Sequence, residues 1–523
     1  MPYRSTEICH STLVRLLSCV LFCASASTDG VLAQDEVIDD PEVGPATPQP
    51  AAATTPGGFE GDARLRLHAR VGLDVYHSDP REEVWESSGI ANLETTLRRS
   101  DDLRIALGVR ARYHAAWLEQ PVADAGSRRI DFGAVVTAGY VDLGVADGLH
   151  VQLGYQPVQL GRFDLVSAVD VLSAFDWRDG PATMPEAYQL AQFAARVDYD
   201  PAAWLALRVL YVPFFIPHLI SLVEGDYAVA RQTQASIDAE TSSLGVANRL
   251  ATYLSRADRE RLVQSGLAAL TPEPDLASQQ AALRLTLHGA AGELAFTAAT
   301  ALEHVPALYF TQEAIDSIAD PTSADVGARL AAAQRPVRVE YGRFAVIAID
   351  GALDVTPLSL GFEAAYSWHR TLYTLGSGDY PDTLPLPDTT DVVQLGAKLE
   401  YVHESSWLVT LEAFGAYALE VPRDPGRGWM FLTAGRFLIG AALATVWSPW
   451  DRLRVTLGAL AFTGPSVFLA PSLAYELLSG LEIELGGVIV QGPAPPLVVT
   501  PQLALGTLWD TTDQVFVGLV YTL

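Results

Sequence analysis

Cysteine is almost absent from this 523-residue chain. The three that occur, Cys9, Cys19 and Cys23, all lie near the N-terminus. Beyond them no disulfide framework, thiolate metal site or cysteine nucleophile can form. Lysine is rarer still: Lys398 is the only one, so nearly every positive charge is an arginine. Basic charge as a whole is scarce, with 34 Lys and Arg against 62 Asp and Glu and a formal net charge of −28. A nucleic-acid binder needs a basic face, and this balance argues against one. Charged residues make up only 18%, below the roughly 25% of ordinary soluble domains. With 49% hydrophobic residues, the chain is no disordered, solvating polymer either. Yet no apolar run reaches the ~20 residues that a membrane-spanning helix needs.

Recognisable chemistry is missing too. There is no Gly-x-Ser-x-Gly elbow, no His-Glu-x-x-His, no P-loop and no dinucleotide fingerprint. The 10 histidines are scattered without ligand spacing. The expectation is a chain that is not an enzyme and carries no cofactor and no metal.

What is present begins with a leader. Arg4 and Arg15 precede an apolar stretch from Leu16 to Ala26. Small residues follow at Ala24-Ser25-Ala26 and Val31-Leu32-Ala33. This is the order of a secretory signal peptide, expected over residues 1–33 with cleavage after Ala33. A lipid anchor at Cys19 would leave only Leu16-Leu17-Ser18 after Arg15, which is no hydrophobic region. Residues 34–58 start acidic and continue rich in Pro, Ala and Thr, a composition that cannot bury a core. They read as a disordered linker.

From residue 59 to 523 the dominant signal is strict alternation. Ala63, Leu65, Leu67, Ala69, Val71 and Leu73 alternate with Arg64, Arg66, His68, Arg70, Gly72 and Asp74. Leu103, Ile105, Leu107, Val109 and Ala111 alternate with Arg104, Gly108, Arg110 and Arg112. The pattern recurs near residues 149–156, 283–288, 393–401 and 453–459. A period of two places the two sets on opposite faces of a strand. Segments of ~10 such residues divided by turns are the signature of a transmembrane β-barrel.

Connection lengths agree. Short polar turns are expected at 100–102, 146–148, 200–202, 403–405 and 448–451. Long connections are expected at 77–87, 119–127, 159–187, 214–277, 306–335 and 371–390. Short inner turns and long outer loops are how such barrels are connected. Trp204, Trp407, Trp447 and Trp450 sit beside short turns, where an interfacial girdle would lie. The fold class is therefore all-β, a transmembrane antiparallel barrel of about 18 strands, with about 16 as the alternative, since such barrels close on even numbers. Residues 497–509, interrupted by Pro501, are given to the last outer loop. The 214–277 insertion carries Leu244, Ala247, Leu250, Ala251 and Leu254 at helical spacing and is expected to be a helical extracellular insertion.

Two stretches carry a resemblance. Gly518, Tyr521 and Leu523 resemble the terminal assembly signal of outer-membrane barrels, with Leu where Phe is usual and Phe516 where a polar residue is usual. That implies recognition by the barrel-assembly machinery. Residues 138–186 include Gly154-Tyr155-Gln156, Leu160-Gly161-Arg162-Phe163-Asp164, Asp170-Val171-Leu172-Ser173 and Phe175-Asp176. They resemble a proteobacterial porin-like family of outer-membrane barrels of mostly undefined function. Here Leu160 stands for that family's Trp, and Ser173-Ala174 for its Asn-Pro. The resemblance implies a barrel with a loop at this point, residing in the outer membrane among lipid and lipopolysaccharide; it names no substrate.

The candidate lumen residues follow from phase. Arg64, Arg66, Arg70, Arg98, Arg104, Arg110 and Arg112 all fall on the non-lipid face, because a charge on the lipid face costs ~2–4 kcal/mol near the midplane. Segment 159–187 brings Arg162, Asp164, Asp170 and Asp176, with Gln156 just before it, and suits an inward-folded loop. Two readings stand: a basic wall guiding anionic or polar solutes, or arginines that pair with loop carboxylates and pin the loop. The chain is expected to be a porin-like channel. A transporter of hydrophobic compounds and a sealed structural or adhesive barrel are the alternatives.

Overall fold

The structure, a computed structural model, describes residues 60–74, 83–100, 102–122, 126–163, 167–176, 189–219, 276–319, 325, 328, 337–376, 386–403, 406–431, 433–434, 436–462, 466–491 and 513–523. The expected leader and linker lie outside them. Within the compact unit Gly57–Leu523, the alternating segments become strands. They are β1 (Glu60–Asp74), β2 (Glu83–Ser100), β3 (Leu103–Val122), β4 (Gly126–Ala146), β5 (Leu149–Gln156) and β6 (Gln192–Ala202). Next come β7 (Leu205–Val212), β8 (Gln280–Gly289), β9 (Gly292–Leu302), β10 (Arg343–Val355), β11 (Leu358–Gly376) and β12 (Leu386–His403). The last are β13 (Trp407–Ala418), β14 (Phe437–Trp450), β15 (Leu453–Phe462), β16 (Ser466–Leu478), β17 (Leu481–Gln491) and β18 (Gln514–Thr522).

Each strand pairs antiparallel with the next, and β18 returns to β1, with Val517 opposite Val71. The result is a closed barrel of 18 strands. Closure leaves no unpaired edge, which is what lets a sheet sit in hydrocarbon. β17 pairs directly with β18, Val488 opposite Gln514; residues 497–509 lie outside the described residues.

The two faces separate by parity. Val71, Leu107, Ile347, Leu395 and Val517 stand outside, each half or more exposed. Phe344, Val346, Ala348 and Asp350 of β10 and Gln514, Phe516 and Val520 of β18 are buried inside. An apolar exterior this continuous has no place in water. Trp204, Trp407, Trp447 and Trp450 are all exposed at the short-turn end.

At that end the connections are 101–102, 147–148, 203–204, 290–291, 356–357, 404–406, 451–452 and 479–480. The opposite end carries 157–191, 213–279, 303–342 and the other longer ones. Several boundaries differ from expectation: β2 begins at Glu83, and β11 runs to Gly376 with β12 starting at Leu386, so the connections expected at 77–87 and 371–390 are shorter. β3 and β4 run on into 119–127, with Val122 still opposite Gly126, because a hairpin beyond the membrane needs pairing but no apolar face. β6 continues through Ala202, and Ala203-Trp204 make the turn. A register shift between Tyr199 and Ala202 accommodates Pro201, which cannot donate to the ladder. A helix, Gln312–Ala319, sits in the connection after β9. Of the expected helical insertion only the ends are described. Residues 214–219 are not helical, and Leu276–Ser278 is one 3-10 turn; the rest lies outside the described residues. No helix among the described residues is long and apolar enough to cross a membrane.

Candidate functional site: the inner wall and segment 157–176

Register brings the arginines of β1–β3 to one face. Arg64 lies opposite Glu94, Arg66 opposite Asn92 and Arg70 opposite Ser88. Asn92 in turn faces Arg110, Ile90 faces Arg112, and Arg98 faces Arg104. Directly opposed residues share a face, and the other face carries Leu65, Leu67, Val71, Leu93 and Leu107. The arginine face is therefore the lumen wall. Arg64 and Arg98 are exposed on it, and Arg66 and Arg104 are half-buried. Arg110 is buried, its Nε donating to Asn92 Oδ1 at 2.9 Å. Arg70 pairs with Glu86 at 3.0 Å, and His114 lies 3.6 Å from the same carboxylate. Arg112 lies 3.7 Å from Asp176.

The described parts of 157–176 meet a different stretch of the wall. Val158, Leu160, Val169 and Leu172 join Leu210, Val212, Phe344 and Val346 in one buried apolar cluster. The inward face of β6–β11 thus offers this segment an apolar patch with a few buried charged side chains among it, whereas that of β1–β3 carries the arginines. Arg162 forms an ion pair with Glu293, and its Nε is 3.3 Å from Asp350. Asp350 is fully buried and accepts both Nη1 and Nη2 of Arg284, at 2.7 and 2.6 Å. The Phe163 ring lies against Gly396 and Gly361, with no room for a side chain at Gly396. Gln156 is buried and donates from Nε2 to the Ala194 carbonyl at 3.0 Å. Asp170 accepts from the Leu160 amide at 3.3 Å and lies 2.6 Å from Ser173 Oγ. Burial pushes its carboxyl up to about 7. Asp164 lies outside the described residues.

A second junction joins three connections. The His218 and His304 rings stack at 4.7 Å and 16°. The Phe175 amide donates to His218 Nδ1 at 3.0 Å, and His304 Nδ1 is 3.0 Å from the Ile216 carbonyl. The His218 amide donates to the His304 carbonyl at 3.1 Å, and the Leu219 amide to the Phe175 carbonyl at 2.9 Å. Burial holds His304 down at about 4 and His218 well below its ordinary value, so both are neutral at neutral pH. Glu303 beside them takes the Arg370 guanidinium at 2.8 Å. A cavity of about 170 Å³ lies here, lined by Asp170, Ser173, His218, Glu303 and His304 among others. Among the described residues no group of three or more His, Cys, Asp or Glu is arranged to hold a metal ion.

An apolar exterior, a polar and partly filled interior and a closed ladder leave one setting for the molecule. It is a transmembrane β-barrel of the outer membrane. No family model matches the chain, and no curated protein matches it. Among solved structures it is similar to the outer-membrane protein OpdK of Pseudomonas aeruginosa, at 10% identity and a TM-score of 0.42, covering 88% of this chain and 98% of that one. It is also similar to OccAB1 of Acinetobacter baumannii, at 7% identity and a TM-score of 0.42, covering 89% and 96%. OmpF of Salmonella typhi gives 8% identity and a TM-score of 0.39, covering 88% and 97%.

At the C-terminus, Gly518 points inward beside His68 and Glu484, and Tyr521 sits on β18 opposite Leu67 and Leu481. Leu523 exchanges backbone hydrogen bonds with Leu65 at 2.9 and 3.0 Å. Several residues of the wall and its junctions were not singled out from the sequence: Glu293, Asp350, Glu303, His218 and His304. For Glu293 and Asp350 a signal existed, since each is a carboxylate at an inward position of a largely apolar strand. Their partner Arg162 lies in another part of the chain, and nothing in the sequence joins them. The histidines lie outside the strands, where periodicity says nothing.

Proposed function

We propose that this barrel is a channel for small polar solutes with a preference for anions, and that segment 157–176 narrows its lumen. The arginine face of β1–β3 inside a closed barrel carries the reading. Guanidinium groups along a low-dielectric wall raise the local concentration of anions and lower their barrier to passage. The Arg112–Asp176 pair ties the segment to that wall, which supports a passage bounded by both. The two readings of the arginines then apply to different members. Arg64 and Arg98 meet the lumen, and Arg70 and Arg112 are engaged by carboxylates. The reading assigns the chain no chemical step.

Export by residues 1–33, recognition of Gly518, Tyr521 and Leu523 by the assembly machinery, and contact of the outer rim with lipopolysaccharide belong to the same proposal. Current across a planar bilayer tests it. Stepwise, anion-preferring conductance is expected, and replacing Arg64, Arg66 and Arg98 together by Gln moves the reversal potential toward cations. A folded barrel that passes no current, or a triple variant with unaltered selectivity, defeats the reading.

A further inference from the structure

Glu363 lies on β11 at an inward position, yet only 1% of it is exposed. A carboxylate so placed would normally keep its water, because losing hydration without compensation is costly. What covers it is the chain itself. Its Oε1 accepts from the backbone amides of Arg162 at 2.7 Å and Phe163 at 3.3 Å. Its Oε2 accepts from Ser167 Oγ at 2.8 Å and from the amides of Ala168 at 2.7 Å and Val169 at 3.4 Å. All these donors belong to segment 157–176. Amides curled round an anion form a nest, and each bond is strengthened by the full charge. Next to the nest, Phe163 seats against Gly361 and Gly396, so a polar clamp and an apolar contact act on the same residues.

We infer that Glu363 is the positioning residue that fixes segment 157–176 against the wall and so sets the width of the passage. The inference rests on the channel reading above for the passage, but not for the clamp. Glu363→Gln is nearly isosteric, yet turns one acceptor into a donor that faces the donors already there. The segment then loses its clamp while the barrel ladder is untouched.

The test uses the full barrel in two measurements. Unit conductance is recorded in planar bilayers. Separately, Ala168→Cys is introduced into the wild-type and Glu363→Gln backgrounds, and its labelling by a bulky polar maleimide is timed. Heat-modifiable gel migration reports whether the barrel is folded. With Glu363→Gln, labelling is expected to be ~10-fold faster or more, as for loss of charge-assisted hydrogen bonds, and conductance rises with added open-state noise. Glu363→Asp, which keeps the charge, falls between the two. Unchanged labelling in a folded Gln variant overturns the clamp. Faster labelling with no current in any variant supports the clamp and overturns the channel reading instead. Should Glu363→Gln not fold, Ser167→Ala with Ala168→Cys decides, since it removes one donor to Glu363 together with the hydroxyl that accepts from the Val169 and Asp170 amides; labelling at the wild-type rate there overturns the inference.

Discussion

Ser173 has one hydroxyl proton and two acceptors to serve. Its Oγ lies 2.6 Å from Asp170 Oδ2 and is also hydrogen-bonded to the Val158 carbonyl. Ionised, Asp170 accepts from Ser173, a bond that favours the carboxylate; in the neutral form its own proton can go to Ser173 Oγ, freeing the hydroxyl for Val158. Burial, aided by the negative charge of Glu363, pushes the Asp170 carboxyl up to about 7 and so favours that neutral form. An acid whose folded-state value exceeds its unfolded value of ~3.9 stabilises the docked segment fully below that lower value and loses this contribution as pH rises through about 7. Segment 157–176 should therefore be held more tightly at pH ~5 than at pH ~8. Labelling of Ala168→Cys, normalised to an exposed control thiol, should speed up over that range, and Asp170→Asn should flatten the slope. Equal slopes with and without Asp170 would remove its role. At this scale the sequence was half legible. Asp170 and Arg162 were among the charges that marked this connection, but Glu363 contacts residues 194 to 201 positions away. A distance of that kind is set by barrel closure, which no local pattern encodes.

Strands were the most legible elements because their physics is local. Parity of two assigns each side chain to lipid or lumen before any partner is known, and the register then only has to agree. It does: Leu65 lies opposite Leu93, and Val71 opposite Val517. Legibility fails where lipid stops imposing a face, as at the outer ends of β3 and β4, and at a bulge such as that before Ala202. The short turns carry their own constraint. Gly480 has φ +76°, and a Cβ there would run into the Thr522 carbonyl oxygen of β18. The Thr522 amide also donates to the Gly480 carbonyl at 2.8 Å, so this turn touches the strand that closes the barrel. Gly480→Val should cost ~1–3 kcal/mol from strain in the left-handed region, with further loss from the overlap. The temperature at which the folded band converts to the unfolded one on a gel should fall, and Gly480→Ala should fall less. A Gly480→Val midpoint equal to the wild type would show that the turn tolerates a side chain and that the overlap is relieved at no cost.

A chain carrying −28 invites the expectation of a cation channel. The channel reading proposed above points the other way, because an ion in the lumen would respond to the charges it can approach and not to their sum. Asp350, Glu363 and Glu412 are almost completely buried, the first two under direct hydrogen bonds, and much of the remaining acid lies in the N-terminal segment and the connections. Arg64 and Arg98 are exposed on the inner wall. Exposed charges are screened within a Debye length of ~10 Å at 0.1 M salt but ~3 Å at 1 M. If the arginine face sets selectivity, the preference for anions should be clear in ~0.1 M KCl and should shrink steeply toward ~1 M, while conductance still scales with salt. Selectivity due to the width of the passage alone would keep its value across the same range. Reversal potentials measured under a fixed salt ratio at both absolute concentrations separate the two. A preference for cations at low salt would mean that the carboxylates outside the wall, not the arginines on it, dominate the field along the passage.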